Sequence, residues 1–168
     1  DTSKVTDMGY MFNNCSDLQS LNVKNFKTSR VKYMQMMFYN CSYLGSLDVS
    51  NFDTSNVESM YAMFYNCYNL YSINVKNFKT SKVTDMSIMF ARNKFSSLDL
   101  SNFDTTNVTN MGSMFLACDR LESLDLSNFR TMNVTNMSYM FDQCSSLVSL
   151  DISNFDTGSV TDMTEMLT

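Results

Sequence analysis

The sequence contains no His, no Trp and no Pro. Without His it lacks the commonest general base and the commonest metal ligand, and no Ser/His or Cys/His dyad can form. No apolar run approaches the ~18–20 residues of a membrane span. Nor does a basic stretch precede an apolar one in the manner of a signal peptide, although a mature or excised chain would read the same way. Lys and Arg are scattered, and the formal net charge is −5, which argues against a nucleic-acid partner. No carboxylate couple stands in an evident cleft and no nucleophile has an activator. The chain is therefore read as non-enzymatic and free of cofactors.

What it has in excess is Met and Phe, 16 and 13 residues. Aligned on Met-Phe, the Phe falls at Phe12, Phe38, Phe64, Phe90, Phe115 and Phe141, at intervals of 26, 26, 26, 25 and 26 residues. Asn-Phe recurs in step from Phe26 to Phe155, and a Val from Val5 to Val160. A fixed period of this size marks a solenoid, in which each repeat buries its apolar face only against its neighbours. Fourteen of the Met lie in two columns and twelve of the Phe in two more. They are core ladders rather than a partner groove. Residues 1–168 are read as one solenoid domain of about six and a half 25/26-residue repeats, and as a piece of something longer.

Within a repeat, L-x-S-L-x-V alternates with period two, which predicts a short strand and one parallel sheet along one face. V-x-x-M-x-x-M-F-x-x-C has apolar residues at helical spacing, which predicts short helical or 3₁₀ segments along the other face. A second short strand at V-T-x-M is the alternative there, because the segment is brief and Thr-rich. The fold class is thus a repeat solenoid, α/β to mainly β.

The column after Asn-Phe reads Asp1, Lys27, Asp53, Lys79, Asp104, Arg130, Asp156. Alternating signs would place each charge between two opposite ones and discourage register slips between near-identical coils. The invariant Asn column (Asn25 to Asn154) is expected to bond neighbouring backbone. Cys15, Cys41, Cys67, Cys118 and Cys144 form one column. Free buried thiols are the simplest reading, with disulfides between adjacent rungs or a metal as alternatives.

Three surfaces are candidates for binding. Seven of the nine Tyr fall between residues 33 and 71, and Tyr39, Tyr43, Tyr61, Tyr65, Tyr68 and Tyr71 form the first candidate. Corresponding places in other repeats carry unrelated residues, and clustered exposed Tyr suits protein and glycan contact. The second is the outward sheet face, where Asp99, Asp125 and Asp151 stack in one column beside Ser101 and Ser127 in the next. A basic protein partner, or Ca²⁺ held by carboxylate and hydroxyl oxygens, would relieve their repulsion; a merely solvated acidic face is the plain alternative. The third is a regular rank of Thr28, Thr54, Thr80, Thr105, Thr131 and Thr157, which invites ice or ordered-surface binding, although Thr at turns also serves as a cap.

C-x-x-L-x-S-L-x-V followed by V-T-x-M-x-x-M-F-x-x-C resembles the BspA-type leucine-rich-repeat surface proteins of bacteria, in their Met-Phe variant with 25- or 26-residue units. The fourth unit, "MFARNKFSSLDL", departs from it by losing one residue and its Cys. The resemblance implies a leucine-rich-repeat-like solenoid, secreted or on the cell surface, that acts as an adhesin or protein-binding module and carries no catalytic residues. The expected partner is an extracellular or host-surface protein or glycan. A structural spacer that displays other domains is the rival function. No polar caps are visible in the sequence, so caps beyond these residues, or end-to-end stacking on another copy, are both expected alternatives.

Overall fold

The structure, a computed structural model, describes residues 1–168. Its regular strands are β1 (Ser20–Leu21) and β2 (Ser46–Leu47), which pair in parallel with Ser20 opposite Ser46. The same column continues as bridges between Ser97, Ser123 and Ser149. Ser72 joins no neighbour, so this front ladder is interrupted at the third coil. On the opposite face a second parallel ladder runs without interruption through Asp7, Tyr33, Ser59, Asp85, Asn110, Asn136 and Asp162. These are the variable residues of V-T-x-M, so the back of each coil makes a single-residue parallel bridge there rather than a full strand.

The helical or 3₁₀ segments expected from V-x-x-M-x-x-M-F-x-x-C do not form. In their place is a run of linked turns. Met8, Tyr10, Phe12 and Asn14 donate their N–H groups to the carbonyls of Tyr33, Gln35, Met37 and Tyr39 in the next coil. The intervening N–H groups of Met11, Asn13 and Cys15 close four-residue turns on the carbonyls of Met8, Tyr10 and Phe12. A stacked neighbour offers carbonyls in register, so alternate donors reach outward and cannot serve an i→i−4 helix. Apolar residues three apart mark successive turns here, not a helical face.

Those turns require left-handed backbone at fixed places. Met36 and Asn40, Ala62 and Asn66, Ile88 and Arg92, and Ser113 and Ala117 have φ between 50° and 61°. None of the four Gly is used for this purpose. Asn tolerates the conformation, whereas Ile88 is held in it by its inter-coil bonds, at a cost of order 1–2 kcal/mol.

The Met and Phe columns form the core, a single cluster of 42 buried residues. Rings from Phe12 to Phe141 stack along the axis with centroids 5.6–6.0 Å apart and interplanar angles of at most 10°. Five of the six Thr of the regular rank are turned into this core, and Thr157, in the last coil, is exposed. Thr28, Thr54, Thr80, Thr105 and Thr131 are at most 2% exposed. The Thr80 hydroxyl accepts from the Asp104 N–H at 2.8 Å and donates to the Asp104 carbonyl at 2.9 Å. The equivalent pair of bonds ties Thr28 to Asp53, Thr54 to Lys79 and Thr105 to Arg130. A buried hydroxyl stitched to backbone cannot meet a surface, so ice binding through this rank is excluded.

The Asn column behaves as expected. The Asn102 amide donates to Val75 and Phe78, Asn128 to Leu100 and Phe103, and Asn154 to Leu126 and Phe129. The alternating charge column does not form a chain of ion pairs. The salt bridges are Lys32–Glu58, Lys76–Asp99 and Lys94–Asp119, none within that column. Its Asp residues instead accept locally: Asp53 from the Ser55 N–H at 3.1 Å and Asp104 from the Thr106 N–H at 3.0 Å. Bonds to Ser55, more than the charge of Lys79, hold the Asp53 carboxyl below its ordinary pKa.

The Cys column packs as buried thiols. Cys41, Cys67, Cys118 and Cys144 each donate a weak S–H bond to a Phe carbonyl of the coil before, at 3.1–3.2 Å. Asn93 stands in the gap and makes the same bond to Phe64 at 2.7 Å. All five thiols are free, and Cys15 is exposed. Burial pushes the Cys41 and Cys144 thiols up to about 11 and that of Cys118 up to about 12, with Cys67 raised in the same way. In the native protein a thiol-disulfide reagent should label Cys15 rapidly and the other four only after unfolding. A thiol raised in the folded state favours folding fully below its unfolded pKa of ~8.5, and that contribution fades as pH rises toward about 11. Melting temperature should therefore fall across this alkaline window, and a Cys41→Ala, Cys144→Ala variant should fall less steeply.

Candidate functional site

The Tyr cluster lies where the linked turns leave the Cys column and swing toward the front ladder. The core sets the depth of each coil here, through Phe64, Cys67 and Leu70. The residues between them point outward by default. In the third coil these are Tyr65, Tyr68 and Tyr71, at three-residue spacing. Because coils repeat in register, Tyr39 of the coil before lies directly on Tyr65, with centroids 4.6 Å apart and planes 17° apart. Tyr61 acts electrostatically on Tyr39. Burial first, then Tyr65 and Tyr61, raise the Tyr39 phenol above its ordinary pKa, against the lowering effect of Arg92.

Each of the three outward Tyr of the third coil carries a cation from a later coil over its ring. The Arg92 guanidinium lies 5.9 Å from the centre of Tyr65, Lys94 Nζ 4.6 Å from Tyr68, and the Arg120 guanidinium 5.8 Å from Tyr71. Arg120 belongs to the fifth coil and reaches Tyr71 across the fourth. The fourth coil is one residue short on this edge, and the small Ser96 occupies the column of Tyr71. Lys94 is also paired with Asp119, whose hydrogen bond raises the ammonium above its ordinary pKa. Arg92 and Arg120 enter no salt bridge.

The structure thus brings Tyr39, Tyr61 and Tyr65 together, and sets Tyr68 and Tyr71 beside them on cationic stacks. Tyr43 is 58% exposed and joins no ring pair. Arg92, Lys94 and Arg120 were not among the candidates read from the sequence. Lys94 was legible, since it falls 26 residues after Tyr68. The two Arg were not, because neither shares a column with the ring it covers.

The acidic face is organised by local hydrogen bonds. Asp99, Asp125 and Asp151 each turn one oxygen back to the N–H two residues ahead, on Ser101, Ser127 and Ser153, at 2.9–3.1 Å. Hydrogen bonds to those Ser depress all three carboxyls. Lys76 relieves Asp99 further with an ion pair at 3.3 Å. No group of three acidic or thiol side chains converges closely enough to hold a metal ion. Asp125, Ser127 and Asp151 border a hollow of only about 130 Å³, while Asp99 and Ser101 lie outside it. The larger concavity, about 620 Å³, lies at the other end of this face. It is lined by Leu21, Lys24, Gly45, Ser46, Asp48 and Ile73. It opens where the front ladder lapses at Ser72, a break that the repeat pattern does not signal.

Stacked coils, parallel ladders and an interior of Leu, Met and Phe columns define a leucine-rich-repeat-type solenoid. The chain is similar in structure to a leucine-rich repeat protein from Bacteroides ovatus, with a TM-score of 0.57 at 18% identity. The match covers 94% of this chain and 45% of that one, so the chain spans less than half the length of its structural relative. Residues 1–94 and 69–168 match the family described as "Mycoplasma protein of unknown function, DUF285", and the chain belongs to that family. No curated protein matches it.

Proposed function

We propose that this chain is a non-enzymatic protein-binding module of a bacterial surface protein, adhesin-like in role, that engages its partner through the Tyr edge of the second and third coils. One observation carries the reading: Tyr39, Tyr65, Tyr68 and Tyr71 occupy outward columns where other coils place unrelated residues. The fold does not need them there. Tyr gives large contact area at low entropic cost and is enriched where interfaces concentrate their binding energy. A solenoid edge presents such residues at fixed spacing, and a Tyr pair already stacked at 4.6 Å has little side-chain freedom left to lose. The finer kinship with BspA-type proteins, the cell-surface location and the place of residues 1–168 as one domain of a longer protein belong to the same proposal.

The rings also bear on the kind of ligand. A sugar stacks on an open aromatic face, whereas Tyr39 and Tyr65 cover one another and Arg92, Lys94 and Arg120 lie over Tyr65, Tyr68 and Tyr71. Edges, hydroxyls and cationic heads are left to the partner, which suits a polypeptide better than a glycan. The test is a binding screen against extracellular-matrix and cell-surface proteins and glycans, with a Tyr39→Ser, Tyr65→Ser, Tyr68→Ser variant alongside. A partner bound by the native chain and weakened at least about a hundredfold in the variant is expected, since residues that dominate interfaces cost ~2 kcal/mol or more each. Equal binding by both proteins would move the site away from the Tyr edge, and no partner at all would favour the spacer.

A further inference from the structure

We infer that the partner segment recognised by this edge is acidic, its carboxylates held by Arg92 and Arg120. The inference rests on the reading of the Tyr edge as a binding surface and names the chemistry of what it binds.

Two independent features point to it. The first is preorganisation. Arg92, Lys94 and Arg120 are not free surface cations, because each lies over a Tyr ring of the third coil. A guanidinium seated on a ring keeps its edge N–H groups directed outward, where a carboxylate can accept two parallel bonds. Holding the side chain beforehand removes much of the entropy that binding would otherwise cost.

The second is the pattern of pairing. The structure satisfies Lys94 internally through Asp119 and leaves Arg92 and Arg120 exposed and without an acidic partner. Asp119 precedes Arg120 directly, yet its carboxylate turns to Lys94. Glu122, two residues beyond Arg120, makes no ion pair either. In the last three coils the outward sheet face is acidic, with Asp99, Asp125 and Asp151 in one column, and the chain net charge is −5. Arg30 and Arg130 are also exposed and without an ion pair, but neither lies over a ring. An acidic ligand is therefore repelled from the Asp column and drawn to the edge where two guanidinium groups are both open and held in place.

The geometry favours a peptide over a sulfated glycan because Tyr65, Tyr68 and Tyr71, the rings beside the two guanidinium groups, already carry a cation over one face. The segment is expected to carry carboxylates spaced to meet two guanidinium groups from coils four and five, beside an apolar or aromatic residue against the exposed Tyr68 and Tyr71 edges.

The test uses the whole chain and a fluorescein-labelled oligoglutamate peptide containing one Tyr, followed by fluorescence anisotropy at low and at physiological salt. The native chain should bind, and more weakly as salt rises. Arg92→Gln with Arg120→Gln should weaken binding about tenfold per guanidinium removed, one ion-pair's worth at each site. A variant that removes equal charge elsewhere, Lys4→Gln with Arg30→Gln, should bind like the native chain. Both Arg are exposed, so the thermal transition should be preserved and the loss attributable to contact. Arg92→Lys with Arg120→Lys should recover only part of the affinity, because Lys lacks the planar fork.

Absence of oligoglutamate binding, or an equal loss in both charge-removal variants, would overturn the inference. So would preferential capture of a heparin-derived oligosaccharide through the same two Arg. If a partner from the protein screen depends on Tyr39, Tyr65 and Tyr68 but is indifferent to Arg92→Gln and Arg120→Gln, the acidic segment is refuted while the Tyr edge stands. If neither set of changes affects that partner, both fall.

Discussion

Replacing Phe90 by Ala should cost about 3–5 kcal/mol of stability and turn a cooperative unfolding transition into a broadened or two-step one. Phe90 is fully buried. It stacks on Phe64 at 5.9 Å and on Phe115 at 6.0 Å, and meets Phe95 edge-on at 6.3 Å and Phe103 at 6.4 Å. No other ring of the ladder has as many aromatic neighbours. In a quasi-one-dimensional solenoid the stability is close to a sum of coil terms and nearest-neighbour terms. A cavity at the fourth coil therefore weakens the coupling of three coils before it to those after. Urea unfolding followed by circular dichroism reports both effects, as a lower midpoint and a shallower slope. Phe141→Ala, at a ring whose aromatic contact is Phe115 alone, should lose less and leave the slope intact. Similar losses at both positions would show that the rings act singly rather than as a ladder.

Thr80→Val should cost about 2–4 kcal/mol, although the two side chains have nearly the same shape. The Thr80 hydroxyl satisfies both the N–H and the carbonyl of Asp104, and Thr80 is 1% exposed. Val fills the volume and leaves two backbone groups unpaired, each at ~1–3 kcal/mol. Thr80→Ser keeps the hydroxyl, sacrifices a methyl and should cost about 1 kcal/mol. Thr157 is exposed and bonds to no further coil, so Thr157→Val serves as a control that should leave the midpoint in place. The ordering Val worse than Ser at residue 80, measured by the same unfolding curves, separates hydrogen-bond loss from packing loss. The opposite order would mean that the hydroxyl's bonds contribute little beyond what water would supply.

Both expectations come from columns that are visible in the one-dimensional text, yet only the first could be anticipated there. The Phe and Met columns announce a core because apolar residues at a fixed period have nowhere else to go. The Thr rank is equally regular, and regularity suits a surface lattice as well as it suits an internal stitch. Which of the two holds depends on whether Cβ points inward after the Asn-Phe corner. That is a property of the turn, not of the period.

The Tyr edge shows a similar division. Tyr39 and Tyr65 stack because they share a column 26 residues apart, and any in-register solenoid would bring them together. Arg120 over Tyr71 depends instead on the short fourth coil, which opens a path across an intervening rung. The spacing of V-x-x-M-x-x-M-F-x-x-C predicts helical or 3₁₀ segments, yet linked turns form, because turns closed on i→i+3 bonds and helical turns both space apolar residues by three or four. Only the neighbouring coil, which takes every second N–H for itself, distinguishes the two. The alternating charge column was likewise legible as a pattern, but its Asp members found nearer partners in the Ser and Thr N–H groups two residues ahead.

Repetition alone settled the period, the register between coils, the composition of the core and the position of the one irregular coil, because a stacked chain must bury like against like. Direction and reach were decided in three dimensions. Whether Thr faced in or out, which N–H groups served the coil itself and which served its neighbour, where the front ladder lapsed, and which cations came to lie on which rings all depended on backbone φ and on side chains spanning more than one rung. Those quantities have no fixed offset along the chain, so no column records them.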